Sequence, residues 1–340
     1  MSNIRLCVYP RPQGVGGMVS FQARLLAGLQ RRGVEVVTDL KETPYTSVLI
    51  IGGTRNLAGL RRLKRSGIPI VQRLDGMNWL QRKRPTGLRH FLRAEMGNLL
   101  LAYIRSLLAT HLVYQSVFAQ KWWERSQGIP SVPTRIIYNG VDLNEFTPQG
   151  PGTPPEKRWR ILLVEGSLGG GYEMGMESAV ALAEGLEKRI ERGVELMIAG
   201  RVSDRARRTW DEKSHIPILW PGLVPGEDIP ALDRAAHLLY SADIHPACPN
   251  AVIEALACGL PVVSFDTGAL PELVTGEAGR LAPYGTDAWK LEPPNIDGLV
   301  RAAAGLLDDL PRHRAAARQR AEQTFDLERM LDEYVAVLSG

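Results

Sequence analysis

Residues 4–33, IRLCVYPRPQGVGGMVSFQARLLAGLQRRG, spell out one structural unit. Residues 4–9 are an apolar run fit for a buried strand, RPQGVGG is a loop, and residues 20–32 keep a helical period until Gly33 stops them. Outward from this unit, further strands are predicted at 34–37, 47–51, 68–72, 111–114 and 135–138, with helix-like segments between them. The same order restarts at Arg160-Ile161-Leu162-Leu163-Val164, followed by a glycine loop, a helix over 174–192 and a strand over 194–199. Strands at 217–220, 236–240 and 261–265 and a helical tail from Pro311 complete the second series. Such alternation implies parallel sheets covered on both faces, so the fold class is α/β, with two doubly wound Rossmann-like domains. Sheets of this kind bind ligands at the carboxyl ends of their strands, which places the expected site in a central cleft that the domains face.

A chain of 340 residues suits two domains. The Pro- and Gly-rich stretch TPQGPGTPPEKR after Phe146 reads as a linker, giving domains at 1–150 and 151–322, with a C-terminal helix at 323–340 that can cross back to the first domain. Charge divides along the same line. Residues 1–150 hold 21 Lys and Arg against 8 Asp and Glu, whereas residues 151–340 hold 20 against 29. A basic first half suits an anionic partner, whether a phospholipid surface, a phosphorylated acceptor or nucleic acid; a solvated basic face fits the same numbers. Cys7, Cys248 and Cys258 have neither disulfide-framework nor zinc spacing. The opening residues lack the apolar run of a signal peptide, and no stretch is apolar for the ~20 residues of a membrane span, so a cytoplasmic location is expected.

The stretch from Asn250 to Val263, NAVIEALACGLPVV, is the richest in chemistry. Small and apolar residues form a helix ended by Gly259 and Pro261, and Val262-Val263 begin a buried strand. Glu254, in the first turns, offers a carboxylate to sugar or ribose hydroxyls, and the amides at Asn250 and Ala251 face phosphate. On the residues alone, Glu254 equally fits a helix-start glutamate that complements the helix dipole.

EALACGLPVVSFDTGALPELV resembles the donor-site signature of retaining GT-B glycosyltransferases, the large bacterial family related to glycogen synthase and phosphatidylinositol mannosyltransferases. The resemblance extends to IPSVPTRIIYNGVDLNEFTP and to GVGGMVSFQARLLAGLQRRGVEV, and covers most of the chain except 77–108. It implies a GT-B architecture and metal-independent transfer of a hexose from a nucleotide sugar to an acceptor hydroxyl with retained configuration. By the same resemblance, Glu254 binds the donor ribose, and Gly16 and Gly17 approach the donor phosphates, where a side chain would block the loop amides. Gly166 and Ser167 after the first strand of the second domain, and Gly200 and Arg201 after the next, complete the implied donor set. The family has a histidine or other polar residue six positions beyond a proline in the first domain. Here Pro69 leads to Asp75, a candidate base toward the acceptor hydroxyl, with Asn78 beside it; Asp75-Gly76 also reads as a turn.

Two departures touch the donor site. Pro246 stands where the family has a second glutamate, and Ser167 and Met174 stand where it has the arginine and lysine that neutralise the diphosphate. Glu165 and Glu173 make that loop less suited to phosphate, so amides at 169–171 and the Arg201 guanidinium are the expected substitutes. Without those cations, two alternatives stay open: a non-catalytic GT-B protein that binds a nucleotide or glycan, and a sugar-nucleotide epimerase. No metal or resident cofactor is expected, since the chain has no Asp-x-Asp pair. The implied partners are a nucleotide sugar and a glycan, lipid-linked or small-molecule acceptor, with no nucleic acid. The basic stretch 81–93 before an apolar helix at 99–108 suits peripheral contact with an anionic inner membrane face, or a buried helix with a solvated basic end.

Overall fold

The computed structural model describes residues 5–12, 14, 16–168 and 173–339. It divides into two units: unit 1 comprises residues 1–140 and 327–340, and unit 2 comprises residues 141–326. Each is built on a six-stranded, all-parallel sheet.

Unit 1 runs β1 (Arg5–Tyr9), α1 (Gly17–Arg31), β2 (Glu35–Val37), β3 (Ser47–Ile51), α2 (Leu57–Arg65), β4 (Ile70–Leu74), α3 (Leu88–Tyr103), β5 (His111–Tyr114), α4 (Val117–Gln127) and β6 (Thr134–Ile136). Its strand order is β2-β1-β3-β4-β5-β6. Every residue of β3 and β4 is buried, as required of strands covered on both faces. Phe21, Leu25 and Leu29 of α1 recur every four residues and face that core. The Ser116 hydroxyl caps α4 by accepting the Ala119 amide at 3.1 Å.

Unit 2 runs β7 (Arg158–Ser167), α5 (Glu173–Glu187), β8 (Gly193–Arg201), α6 (Asp204–Lys213), β9 (Ile218–Gly222), α7 (Ile229–Arg234), β10 (Leu238–Tyr240), α8 (Asn250–Ala257), β11 (Val262–Phe265), α9 (Leu270–Leu273), β12 (Gly279–Ala282), α10 (Ile296–Leu307) and α11 (Leu310–Thr324). The order is β12-β11-β10-β7-β8-β9. β12 is absent from the sequence reading because GRLA is short and interrupted by glycine and arginine.

The chain leaves unit 1 after Gly140, earlier than the Pro- and Gly-rich stretch marks. That stretch is not a free linker, because arginines of unit 2 hold carbonyls within it and just before it. Arg234 donates to Pro151 O and Thr147 O, Arg318 to Phe146 O and Leu143 O, and Arg192 to Pro155 O. At the other end of unit 2, Val141 pairs with Asp326. The chain then enters α12 (Leu327–Ser339), which belongs to unit 1. Leu327, Met330, Leu331, Tyr334 and Leu338 put one helical face into the α1 core, with the Tyr334 and Phe21 rings 5.4 Å apart. Ser47 Oγ donates to Leu338 O at 2.7 Å and ties the helix to β3.

Candidate functional site

In unit 2 the strand order reverses at β7: later strands add outward through β8 on one side and through β10 on the other. The loops leaving neighbouring carboxyl ends therefore diverge, and the gap between them is where a doubly wound sheet receives ligand. The loop after β7 and the loop from β10 to α8 border that gap.

Ser167 and Arg201 are paired in register at the ends of β7 and β8, and Leu168 N donates to Arg201 O at 3.0 Å. Among the described residues no atom lies within 4 Å of where a Cβ of Gly166 would stand, so its backbone is open to approach from them. Gly200, at φ 147°, lies so close to β7 that a Cβ would come within 2.1 Å of Glu165 O. Arg201 is exposed and makes no ion pair among the described residues. Four predicted donor residues thus share one corner. The amides of 169–171, and the side chain of Glu173, lie outside the described residues.

The same corner holds a carboxylate relationship that the sequence reading missed. Desolvation pushes the half-buried Glu165 up to about 8, with the nearby Asp243 as the second cause. Asp243 follows β10 and is itself raised by desolvation, against main-chain hydrogen bonds from His245 and Ile244. Glu165 is therefore largely protonated at neutral pH, which removes much of the charge conflict with phosphate inferred from composition. Its neighbour follows a strand and lies 78 residues on, so no local pattern could reveal it.

α8 carries Asn250 and Ala251 at its start and Glu254 one turn further on. Glu254 is 8% exposed. Its charge, after desolvation, helps raise the buried Asp233 of α7 well above the carboxylate range. Pro246, in the place of the family's second glutamate, is wedged against Gly268, and its carbonyl accepts the Ala269 amide at 2.8 Å. Beside it the His245 ring stacks on Trp289 with centroids 3.7 Å apart, and desolvation pushes its pKa down to about 4. His245 is therefore a neutral aromatic surface rather than a cation.

Unit 1 has the equivalent switch point, between β1 and β3. Gly16 sits at the start of α1 with φ 134° and, among the described residues, no atom within 4 Å of where a Cβ would be; Gly17 is the first helical residue. Asp75 follows β4, half-buried and raised by desolvation, with the Arg73 charge opposing. Arg73 itself is turned to other partners: it donates to Asn139 Oδ1 at 2.7 Å and lies 3.6 Å over the Phe21 ring. Asn78 is held by Asn98, whose Oδ1 accepts the Asn78 amide at 3.0 Å. Asp75 and Asn78 both line a cavity of about 540 Å³ at this switch point. A larger cleft of about 890 Å³ lies in unit 2 near the amino ends of β7 and β10, beside Trp159 and His237. It is on the wrong side of the sheet for such a site, and its arginines are engaged by backbone carbonyls.

Residues 160–309 match the family described as Glycosyl transferases group 1. Unit 2 carries a glycosyl transferases group 1 domain. The Glu165–Arg201 corner and all of α8 lie inside the matched range of this domain. The chain is similar to a GDP-mannose-dependent alpha-(1-6)-phosphatidylinositol dimannoside mannosyltransferase of Mycobacterium tuberculosis, 27% identical over 66% of this chain and 56% of the relative. It is also similar to the lipopolysaccharide core biosynthesis mannosyltransferase LpsB of Rhizobium meliloti, 26% identical over 63% of this chain and 62% of the relative. The chain thus spans less than two thirds of these relatives' lengths. Sucrose-phosphate synthase from Thermosynechococcus elongatus shares the fold, with a TM-score of 0.74 at 16% identity over 98% of both chains. With one six-stranded parallel sheet in each of two units, the chain has the GT-B architecture.

Among the described residues no three His, Cys, Asp or Glu side chains gather as a metal-ligand set. No described helix is long and apolar enough to cross a membrane.

Proposed function

We propose that this chain is a hexosyltransferase that moves a sugar from a nucleotide-sugar donor to an acceptor hydroxyl with retention of configuration and without a resident metal, in the cytoplasm. The observation that carries the reading is the meeting of Gly166, Ser167, Gly200 and Arg201 at the carboxyl corner of the group 1 domain. In the reaction the acceptor oxygen bonds to the anomeric carbon, the bond from that carbon to the diphosphate breaks, and the nucleotide leaves with the bonding electrons. The hydroxyl proton passes to a base, for which Asp75 is the candidate: desolvation raises its affinity for that proton. Glu254 holds the ribose, the amides of Asn250 and Ala251 and the backbone at Gly16 and Gly17 serve phosphate, and Arg201 supplies the cation that Ser167 and Met174 do not.

Incubation with a panel of nucleotide sugars tests this, with GDP-mannose first because both relatives above are mannosyltransferases by name. Release of free nucleotide and unchanged sugar supports the transferase; a new sugar epimer sinks it in favour of an epimerase. Serine and methionine in place of the two cations favour a second reading, a nucleotide-binding protein without transfer. Binding without turnover of any donor selects it.

A further inference from the structure

α3 is an unusual helix for an α/β unit. Within its sixteen residues only Ala94 and Asn98 are buried. Leu88, Leu92, Met96 and Leu99 are 54–75% exposed and follow one another by four, four and three positions, which aligns them in one stripe. A π-turn continues the helix through Ile104–Leu108 and adds Leu107, 55% exposed. Together with Phe91 these make six of the nine large apolar residues that stand exposed among the described residues, so the feature is a patch and not scatter.

The surroundings of the stripe are basic. Residues 55–110 contain twelve Lys and Arg, all but the buried Arg73 and Arg105 outside the core, and two acids, Asp75 and Glu95. Arg82 takes Glu95 in a salt bridge at 2.5 Å. At the far end, Lys64 and Arg61 of the basic helix α2 bind Leu107 O and the Tyr103 hydroxyl, which fixes α2 alongside. A second copy of this chain would bring the same positive field against itself, whereas an anionic lipid surface matches both the charge and the apolar stripe.

The stripe also meets the unit 1 cavity. Met96 and Arg93 belong to α3 and line the cavity that holds Asp75 and Asn78. Arg55 stands on the same wall, and Leu100 and Leu101 make its α3 side apolar. A molecule lying along α3 with its apolar part in the bilayer would present its polar end to Arg55, Arg93 and Asp75.

We infer that the acceptor is a membrane lipid with an anionic headgroup: α3 lies in the membrane interface and the headgroup enters the β1–β3 cavity, its charge met by Arg55 and Arg93. This rests on the transferase reading and names the acceptor class for it. Within 99–108 both expectations hold in part: Ile104 and Leu108 join the unit 1 core, whereas Leu99 and Leu107 stay open to solvent.

The test uses the full chain with vesicles of phosphatidylcholine alone or with about a third phosphatidylglycerol. The expected result is binding to the anionic vesicles at least about tenfold stronger than to the neutral ones, reduced about tenfold or more in Leu92→Ser/Leu99→Ser with an unchanged melting temperature. With labelled nucleotide sugar and total bacterial lipid, label should enter the organic phase, less so in Arg93→Ala, and not transfer to free glycerol phosphate. Equal binding to both vesicles, binding undiminished in the leucine variant, or self-association lost in that variant overturns the inference. So does donor hydrolysis with label confined to water, an outcome that leaves the transferase reading standing. Vesicle binding by a protein that binds no nucleotide by calorimetry rejects the transferase reading first, and with it the acceptor assignment.

Discussion

Gly200 leaves no room for a side chain against Glu165: a methyl group there would sit 2.1 Å from the Glu165 carbonyl oxygen, on a backbone at φ 147°. Overpacking of rigid main chain adds to the strain of that φ, so Gly200→Ala should lose about 2 kcal/mol or more of stability. Chemical denaturation checks this, and a loss under about 0.5 kcal/mol would show that β7 and β8 separate easily.

Arg201 beside Ser167 is the expected cation for a diphosphate. Arg201→Ala should weaken a nucleoside diphosphate by about 1.5–3 kcal/mol, roughly ten- to a hundredfold, and barely change the matching nucleoside. Calorimetry with both ligands decides it; equal small losses remove Arg201 from phosphate recognition.

Glu254→Ala should weaken nucleotide-sugar binding by a similar ~1.5–3 kcal/mol. Asp233, whose pKa the Glu254 charge helps to raise, gives a second readout. With Glu254 gone, Asp233 loses the charge that adds to desolvation in raising its pKa, so its titration by NMR should move down. An unmoved Asp233 and unchanged affinity together would mean that Glu254 faces neither.

Glu165 gives a pH dependence with a definite sign. Its folded pKa, about 8, lies above the ordinary 4.5, so the folded chain holds a proton that the unfolded chain has released between those values. Stability from this group is present below 4.5 and declines as pH rises through 8. Affinity for a diphosphate should fall over the upper part of the same range, as the carboxyl ionises. Glu165→Gln should flatten both curves, and a wild-type melting temperature that stays level from pH 5 to pH 8 relative to that variant would refute the assignment.

Much of the fold was legible because its signals are local. The strand, loop and helix of 4–33 and the renewed series at Arg160 depend on periodicity and glycine, and the observed elements follow them closely. The placing of Gly166, Ser167, Gly200 and Arg201 in one corner also follows from strand order. What stayed hidden depends on distant partners. Asp233 and Glu254 meet through separate helices, and Glu165 meets Asp243 across adjacent strands. The stretch 147–158 looked like a linker by composition, and nothing near it announces the arginines at 192, 234 and 318 that hold this region. The exposed stripe of α3 was present as a period, but a period cannot say which side of a helix the protein leaves bare.

The return of α12 to unit 1 has a consequence for how the chain is made. The face formed by Leu327, Met330, Leu331, Tyr334 and Leu338 completes the core around Phe21 and Leu25, yet it leaves the ribosome after all of unit 2. Unit 2 is one continuous segment and can close its core as soon as it is synthesised, whereas unit 1 must wait with its α1 face uncovered. The half that begins first is thus the half that finishes last, and during translation its open apolar face is the natural place for a chaperone to hold the nascent chain.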